Sequence, residues 1–378
     1  MSAWPGKYVI GLTGNIATGK SVVRKMLEHL GAYGIDADAL GHRAMAKGAP
    51  GYKPIVKTFG EWILGPDGQI NRSRLGKIVF SDPEALAALE SILHPLVQQA
   101  VDILIRRAQQ KVIVVEAIKL IEAGMHAQYD SLWVTYAIPE IQLARLMQKR
   151  GLDETTARQR IAVQPLQEDK LKLARVVIRN HSSFEDTWRQ VSGAWNAIFP
   201  GVEAAPRPRV HTGAEKMEVQ RGRPKDATEI AAIFNRLSRG RRRVSRADVM
   251  AAFGEKAFLV LRMNEFTVGL AGWKVENLVS RTDDVYLDES KILPAIGLKA
   301  LMEEVEHNSV ELQCEISLLF LPRDMAEQDA PLANLGYKAR SIQSLGVRAW
   351  QEAASESMPP DSVMLFKQLR QDRVLRPV

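Results

Sequence analysis

Residues Gly14 to Ser21 read Gly-Asn-Ile-Ala-Thr-Gly-Lys-Ser, a complete phosphate-loop pattern that follows directly on the apolar run Tyr8–Leu12. The pattern constrains the fold because it demands a buried strand entering the loop and a helix leaving it. Val22, Val23, Met26, Leu27 and Leu30 supply apolar residues at helical spacing for that helix, whose N-terminus adds its own positive end. Glycines at both ends let the loop turn its N–H groups around a phosphate chain. Gly14, Asn15, Ile16, Ala17, Thr18, Gly19, Lys20, Ser21 and Val22 are therefore candidate nucleotide-binding residues. Lys20 reaches for the β- and γ-phosphates, and the Ser21 hydroxyl is a candidate Mg²⁺ ligand.

A chain of 378 residues has room for two or three domains. The net charge of +7 favours anionic partners without choosing among nucleotides, phosphorylated substrates and nucleic acid. That charge is uneven: 25 Lys/Arg stand against 19 Asp/Glu up to residue 200, and 26 against 25 beyond it. The positive excess thus falls with the phosphate loop. The lone Cys314 excludes an intramolecular disulfide framework and a cysteine zinc cluster, and it suits a reducing compartment. No apolar run approaches the ~18–20 residues of a membrane span and Met1–Lys7 lacks a signal-peptide core, so a cytoplasmic protein is expected. The proline-rich stretch 201–216 has no apolar periodicity and reads as a linker between a first domain, 1–200, and a second, 217–378.

In the first domain, Val/Ile-rich runs at Tyr8–Leu12, Tyr33–Asp36, Val112–Glu116, Leu132–Ala137 and Val176–Ile178 alternate with helical patterns. This order predicts an α/β fold, a parallel sheet covered by helices on both faces. Ligands bind such sheets beyond the carboxyl ends of the strands, and those ends are polar here. Asp36 and Asp38 follow the second run, and Glu116 closes the third as a carboxylate holding Mg²⁺ directly or through water would. Asp38 is the candidate proton acceptor for an attacking hydroxyl; the blander account makes the pair a helix cap and a solvated neighbour. Arg145, in the helical stretch Ile141–Arg150, is a candidate for stabilising charge on the transferring group.

These residues resemble the dephospho-coenzyme A kinases over residues 7–190. The resemblance is carried by Gly11–Ser21, Ile35-Asp-Ala-Asp38 with His42, Phe59-Gly60, Asp67-Gly-Gln-Ile-Asn-Arg72, Val79-Phe80, His94-Pro95, Gln142-Leu-Ala-Arg145, Arg160-Ile161, Gln164 and Asn180. It implies a P-loop kinase that uses ATP and Mg²⁺ to phosphorylate the 3′-hydroxyl of dephospho-coenzyme A. It further implies Asp38 as base, Arg145 and Asn180 at the ATP site, and Asp36, His42, Arg72 and His94 on the acceptor side. Departures stand beside it. The family's Asp-x-Pro-Leu-Leu-x-Glu is replaced by Glu116-Ala-Ile-Lys-Leu-Ile-Glu122, which brings Lys119 toward the expected acceptor path, and two family acids are replaced by Arg175 and Arg179.

In the second domain a strand at Val219–Arg221, a helix capped by Asp226, a hairpin over Ala257–Val275, a strand at Val285–Leu287, a helix at Pro294–His307 and a strand at Glu311–Phe320 give an α+β order. Over about 217–355 this order resembles the GNAT acyltransferases, with Leu335-Gly-Tyr337 at a turn typical of that family. The stretch Asp288–Gly297 lacks the glycines of the family's pyrophosphate loop, so this smaller GNAT-like domain is expected not to transfer acetyl groups. The basic run Arg239–Arg243 has no interleaved aromatics, which disfavours nucleic acid; Trp188, Trp195 and Phe199 read as core. The expected function is ATP-dependent phosphorylation of dephospho-coenzyme A. Another small-molecule P-loop kinase, or an ATP-binding regulatory module without phosphoryl transfer, is the alternative. Residues 1–200 are expected to keep transfer when cut free, and oligomeric state is left open.

Overall fold

The structure, a computed structural model, describes residues 3–79, 81–200, 217–238, 243–264, 266–326 and 330–371. Phe80, the expected linker 201–216, Arg239–Arg242 and Glu265 lie outside the described residues. Contacts divide the described chain into two compact units, one of residues 3–20 and 32–181, the other of residues 21–31 and 182–371.

In chain order the first 200 residues form β1 (Tyr8–Thr13), α1 (Lys20–His29), β2 (Tyr33–Asp36), α2 (Ala37–Ala44), α3 (Tyr52–Phe59), α4 (Arg72–Val79), α5 (Pro83–Arg107), β3 (Val112–Glu116), β4 (Ser131–Tyr136), α6 (Pro139–Arg150), α7 (Glu154–Ala162), α8 (Gln167–Leu173), β5 (Val176–Arg179) and α9 (Phe184–Ile198). The five strands make a parallel sheet in the order β2-β3-β1-β4-β5. β3 is buried along its whole length and β1 from Val9 onward, as strands covered on both faces must be. Register then fixes the site, because Asp36 lies level with Glu116 and Glu116 level with Leu12, so the polar strand ends converge where β1 gives way to the phosphate loop. Between β2 and β3 the helices α3 to α5 enclose their own core of Ile55, Ile63, Ile70, Leu75 and Leu89. α5 starts firmly, with Asp82 accepting from the N–H groups of Glu84 and Ala85 and Pro83 at its first position.

The second unit contains β6 (Met217–Arg221), α10 (Ala227–Leu237), α11 (Arg246–Ala252), β7 (Ala257–Met263), β8 (Phe266–Glu276), β9 (Val279–Leu287), α12 (Pro294–Glu311), β10 (Ile316–Pro322), α13 (Arg323–Ala326), α14 (Ala330–Asn334), β11 (Lys338–Ala339), α15 (Arg348–Ser357) and β12 (Ser362–Gln368). Its mixed sheet runs β11-β12-β10-β9-β8-β7-β6, antiparallel except for the β9·β10 pair. The strand expected from Glu311 begins only at Ile316. α12 runs on through Glu311 because Asn308 and Ser309 bond back to Glu304 and Val305, and the chain then turns at Gln313 with φ 60°. Asp226 caps differently from the expectation: its carboxylate accepts from the preceding Arg223 N–H at 2.9 Å and makes no side-chain cap on α10.

Residues 21–29 of α1 count with this unit for a visible reason. Arg24, Lys25, Glu28 and His29, one polar stripe of the helix, are held in the second unit. Lys25 Nζ donates to Glu28 at 2.9 Å and to the Val275 carbonyl of β8 at 2.7 Å. Arg24 pairs with Glu28 at 2.6 Å. His29 Nε2 lies 2.8 Å from the Phe253 carbonyl, and its Nδ1 lies 3.3 Å from the Arg221 guanidinium of β6. The nearby cations hold the Glu28 carboxyl down to about 2 against the opposing effect of burial. Burial, reinforced by Arg221, holds the His29 ring down to about 3. Trp195 is buried on α9 and stacks tilted on Phe199 at 4.7 Å between centroids, a core role as expected.

Candidate active site

The phosphate loop adopts the backbone its sequence requires. Gly14 and Gly19 have φ of 151° and 92°, and a Cβ at Gly19 would stand 1.9 Å from Asn180 Nδ2. Thr18 Oγ1 bonds the Asn15 carbonyl at 2.8 Å and lies 2.7 Å from Thr135 Oγ1 on β4. Two residues from farther along the chain brace it. Asn180 Nδ2 donates to the Thr18 carbonyl at 3.0 Å, and Arg145 donates to the Ala17 carbonyl at 3.1 Å and to the Asn180 carbonyl at 2.9 Å. The segment between α7 and α8 closes on the same loop: Gln164 Oε1 accepts from Ile16 N at 2.7 Å and the Pro165 carbonyl from Asn15 Nδ2 at 2.8 Å.

Lys20 is buried, with Nζ donating to the Gly14 carbonyl at 3.0 Å and the Asn15 carbonyl at 3.3 Å. Burial pulls its ammonium below the usual lysine range, while Glu116 and then Asp38 act to retain the charge. Asp38, in the first turn of α2, accepts from Ile118 N at 3.1 and 3.4 Å. Burial pushes its carboxyl upward, as does Glu116, against the lowering effects of Lys20 and the Ile118 N–H. A carboxylate held by one backbone donor beside a buried ammonium keeps lone pairs for a substrate hydroxyl.

Asp36 takes the structural part: it is the N-cap of α2 and accepts from Ala39 N at 2.9 Å. Asp38, two residues on, does not share that duty. Glu116 is buried at the end of β3, and Ser21 follows Lys20 as an exposed residue. Val22 is half-buried, His42 on α2 and Arg72 at the start of α4 are exposed, and His94 on α5 is half-buried. Lys119 pairs with Glu90 of α5 at 2.5 Å. Arg175, just before the edge strand β5, and Arg179, its last residue, are exposed. Lys170 went unnoticed in the sequence. It is almost wholly buried, with Nζ 2.7 Å from the Ile118 carbonyl and 3.1 Å from Glu122.

A parallel sheet with a phosphate loop after its central strand, a buried lysine inside the loop and carboxylates on the next strands define a P-loop kinase. The dephospho-CoA kinase family model matches residues 8–186. A dephospho-CoA kinase of Geobacter sulfurreducens is 42% identical over 195 residues, which cover 51% of this chain and 99% of that protein. The chain belongs to the dephospho-CoA kinase family. Among solved structures, the dephospho-CoA kinase from Campylobacter jejuni is 29% identical with a TM-score of 0.39, covering 52% of this chain and 98% of that one. Another, the ribosomal-protein-S18-alanine N-acetyltransferase from Escherichia coli, covers 42% of this chain and 96% of its own, at 13% identity and a TM-score of 0.32.

Proposed function

We propose that this chain transfers the γ-phosphoryl group of ATP to the 3′-hydroxyl of dephospho-CoA. The observation that carries the reading is a buried Lys20 inside the braced phosphate loop, with Asp38 held by the Ile118 N–H just past the strand that pairs with β1. Lys20 swings its ammonium from the loop carbonyls to the β/γ-phosphate oxygens, and Asp38 orients the acceptor hydroxyl and takes its proton. Arg145, already bound to the loop carbonyl of Ala17, is sited to meet charge on the transferring group. We assign His42, Arg72 and His94, with Asp36 in addition to its capping bond, to the acceptor side. Mg²⁺ suits the donors present: it keeps several waters and needs only one or two protein oxygens beside the phosphates, which Ser21 and Glu116 offer. When bound, it neutralises phosphate charge.

ATP turnover of the purified chain with and without dephospho-CoA tests the proposal. Stimulation by that acceptor supports it; turnover only with another alcohol, or ATP binding with no turnover, would replace it with one of the two alternatives. Replacing Asp38 by Asn is expected to leave ATP binding intact and lower turnover by the ~10²–10⁴-fold of a lost general base. Near-normal turnover would remove Asp38 from that role.

We further propose that residues 217–371 form a GNAT-like unit without acetyl transfer. The strand order, with its single parallel pair in an otherwise antiparallel sheet, supports the fold. In the turn after β9 the N–H groups of Lys291 and Ile292 are both spent on the Asp288 carbonyl, and those of Ile296 and Gly297 on the Leu293 carbonyl. Such a turn offers no row of donors to a pyrophosphate. Acetyl transfer from acetyl-CoA to amines by the whole chain would overturn this part.

A further inference from the structure

The residue that holds Asp38 lies just past the β1·β3 pairing, whose last bond runs from the Ala117 N–H to the Leu12 carbonyl. Ile118 follows β3 in an irregular turn, so neither helix nor sheet fixes the direction of its N–H. Side chains hold the residue from its carbonyl end. Its carbonyl accepts from Lys170 Nζ at 2.7 Å and from Thr13 Oγ1 at 3.0 Å, while its N–H donates to Asp38. Lys170 is 3% exposed and lies on α8, in the same segment whose Gln164 and Pro165 close on the phosphate loop.

We propose that Lys170 is a positioning residue for Asp38, acting through residue Ile118, whose carbonyl it holds while the N–H of the same residue holds the carboxylate, so that the segment covering the phosphate loop also orients the base. This rests on the reading of Asp38 as base. The Lys170 charge also favours the ionised Asp38 carboxylate. Glu122, 3.1 Å away, keeps the lysine in place.

The test compares kcat and KM for ATP in the whole chain carrying Lys170→Met, Lys170→Arg, Asp38→Asn and the Lys170→Met/Asp38→Asn pair. Lys170→Met is expected to lower kcat on the order of 10²-fold with KM for ATP unchanged, as a misplaced catalytic group does. Lys170→Arg, which keeps a charged donor, is expected to restore most of the loss. In the pair, the Lys170 change should add little to Asp38→Asn, because both act on one base. A wild-type kcat in Lys170→Met, or a full additive loss in the pair, overturns the inference while leaving Asp38 as base. Normal turnover in Asp38→Asn overturns the underlying reading instead. If Lys170→Met does not fold, Thr13→Val removes the other donor to the same carbonyl at nearly constant volume. A several-fold fall in kcat at constant KM then supports the inference, and an unchanged kcat overturns it.

Discussion

At the scale of single residues, the phosphate loop makes two demands that separate chemistry from packing. Lys20 donates only to loop carbonyls, so Lys20→Ala is expected to leave the thermal midpoint within a few degrees of the parent while turnover is nearly abolished. Full turnover in that variant would exclude the kinase assignment. Gly19 answers to sterics: at φ 92° any side chain is strained, and its Cβ would drive Asn180 off the Thr18 carbonyl. With ~1–3 kcal/mol stored at such a position, Gly19→Ala should weaken ATP binding roughly 10- to 100-fold by titration calorimetry. The loop and Asp38 were legible in the sequence because their signals are local, a spacing of glycines and a pair of acids after an apolar run. Lys170 was not. In Gln167-Glu-Asp-Lys-Leu-Lys it looks like one charge among several on a solvated turn, and its burial depends on a carbonyl 52 positions away.

At the scale of elements, α1 shows what periodicity leaves out. Its apolar positions identified a helix, but the opposite stripe of Arg24, Lys25, Glu28 and His29 reads in sequence as a face for water. The structure spends that stripe on Val275, Phe253 and Arg221. A pH dependence follows. His29 titrates near 6.5 in an ordinary setting and at about 3 here, so below 6.5 the unfolded chain takes up a proton that the folded one refuses. Glu28, lowered to about 2 from 4.5, adds a second such proton below 4.5. Both effects remove stability on acidification. The His29 contribution grows steadily as the pH falls below 6.5. Urea midpoints measured from pH 7 to 5 should fall less steeply in His29→Gln than in the parent; equal slopes would show that His29 is not held neutral.

At the scale of the whole molecule, the strand pattern of the first half was readable because its strands are short apolar runs bounded by turns, whereas in the second half β9 starts at Val279 rather than Val285. The grouping of elements was less so, since which helix keeps company with which sheet is decided by contacts hundreds of residues apart. The expectation that residues 1–200 work alone changes accordingly. Such a fragment lacks Arg221, Phe253 and Val275, leaving the polar stripe of α1 without its partners. We expect it to melt at a lower temperature and to show a higher KM for ATP than the full chain; matching values in differential scanning calorimetry and steady-state assays would refute this. The grouping of residues 21–31 with the later half also bears on whether the two halves could be parted. Two coding sequences joined end to end can ordinarily be parted again by a new stop and start codon. Here the helix that leaves the nucleotide loop has its polar stripe hydrogen-bonded by the later half, so parting the two would strip Lys25 and His29 of those partners unless α1 changed as well.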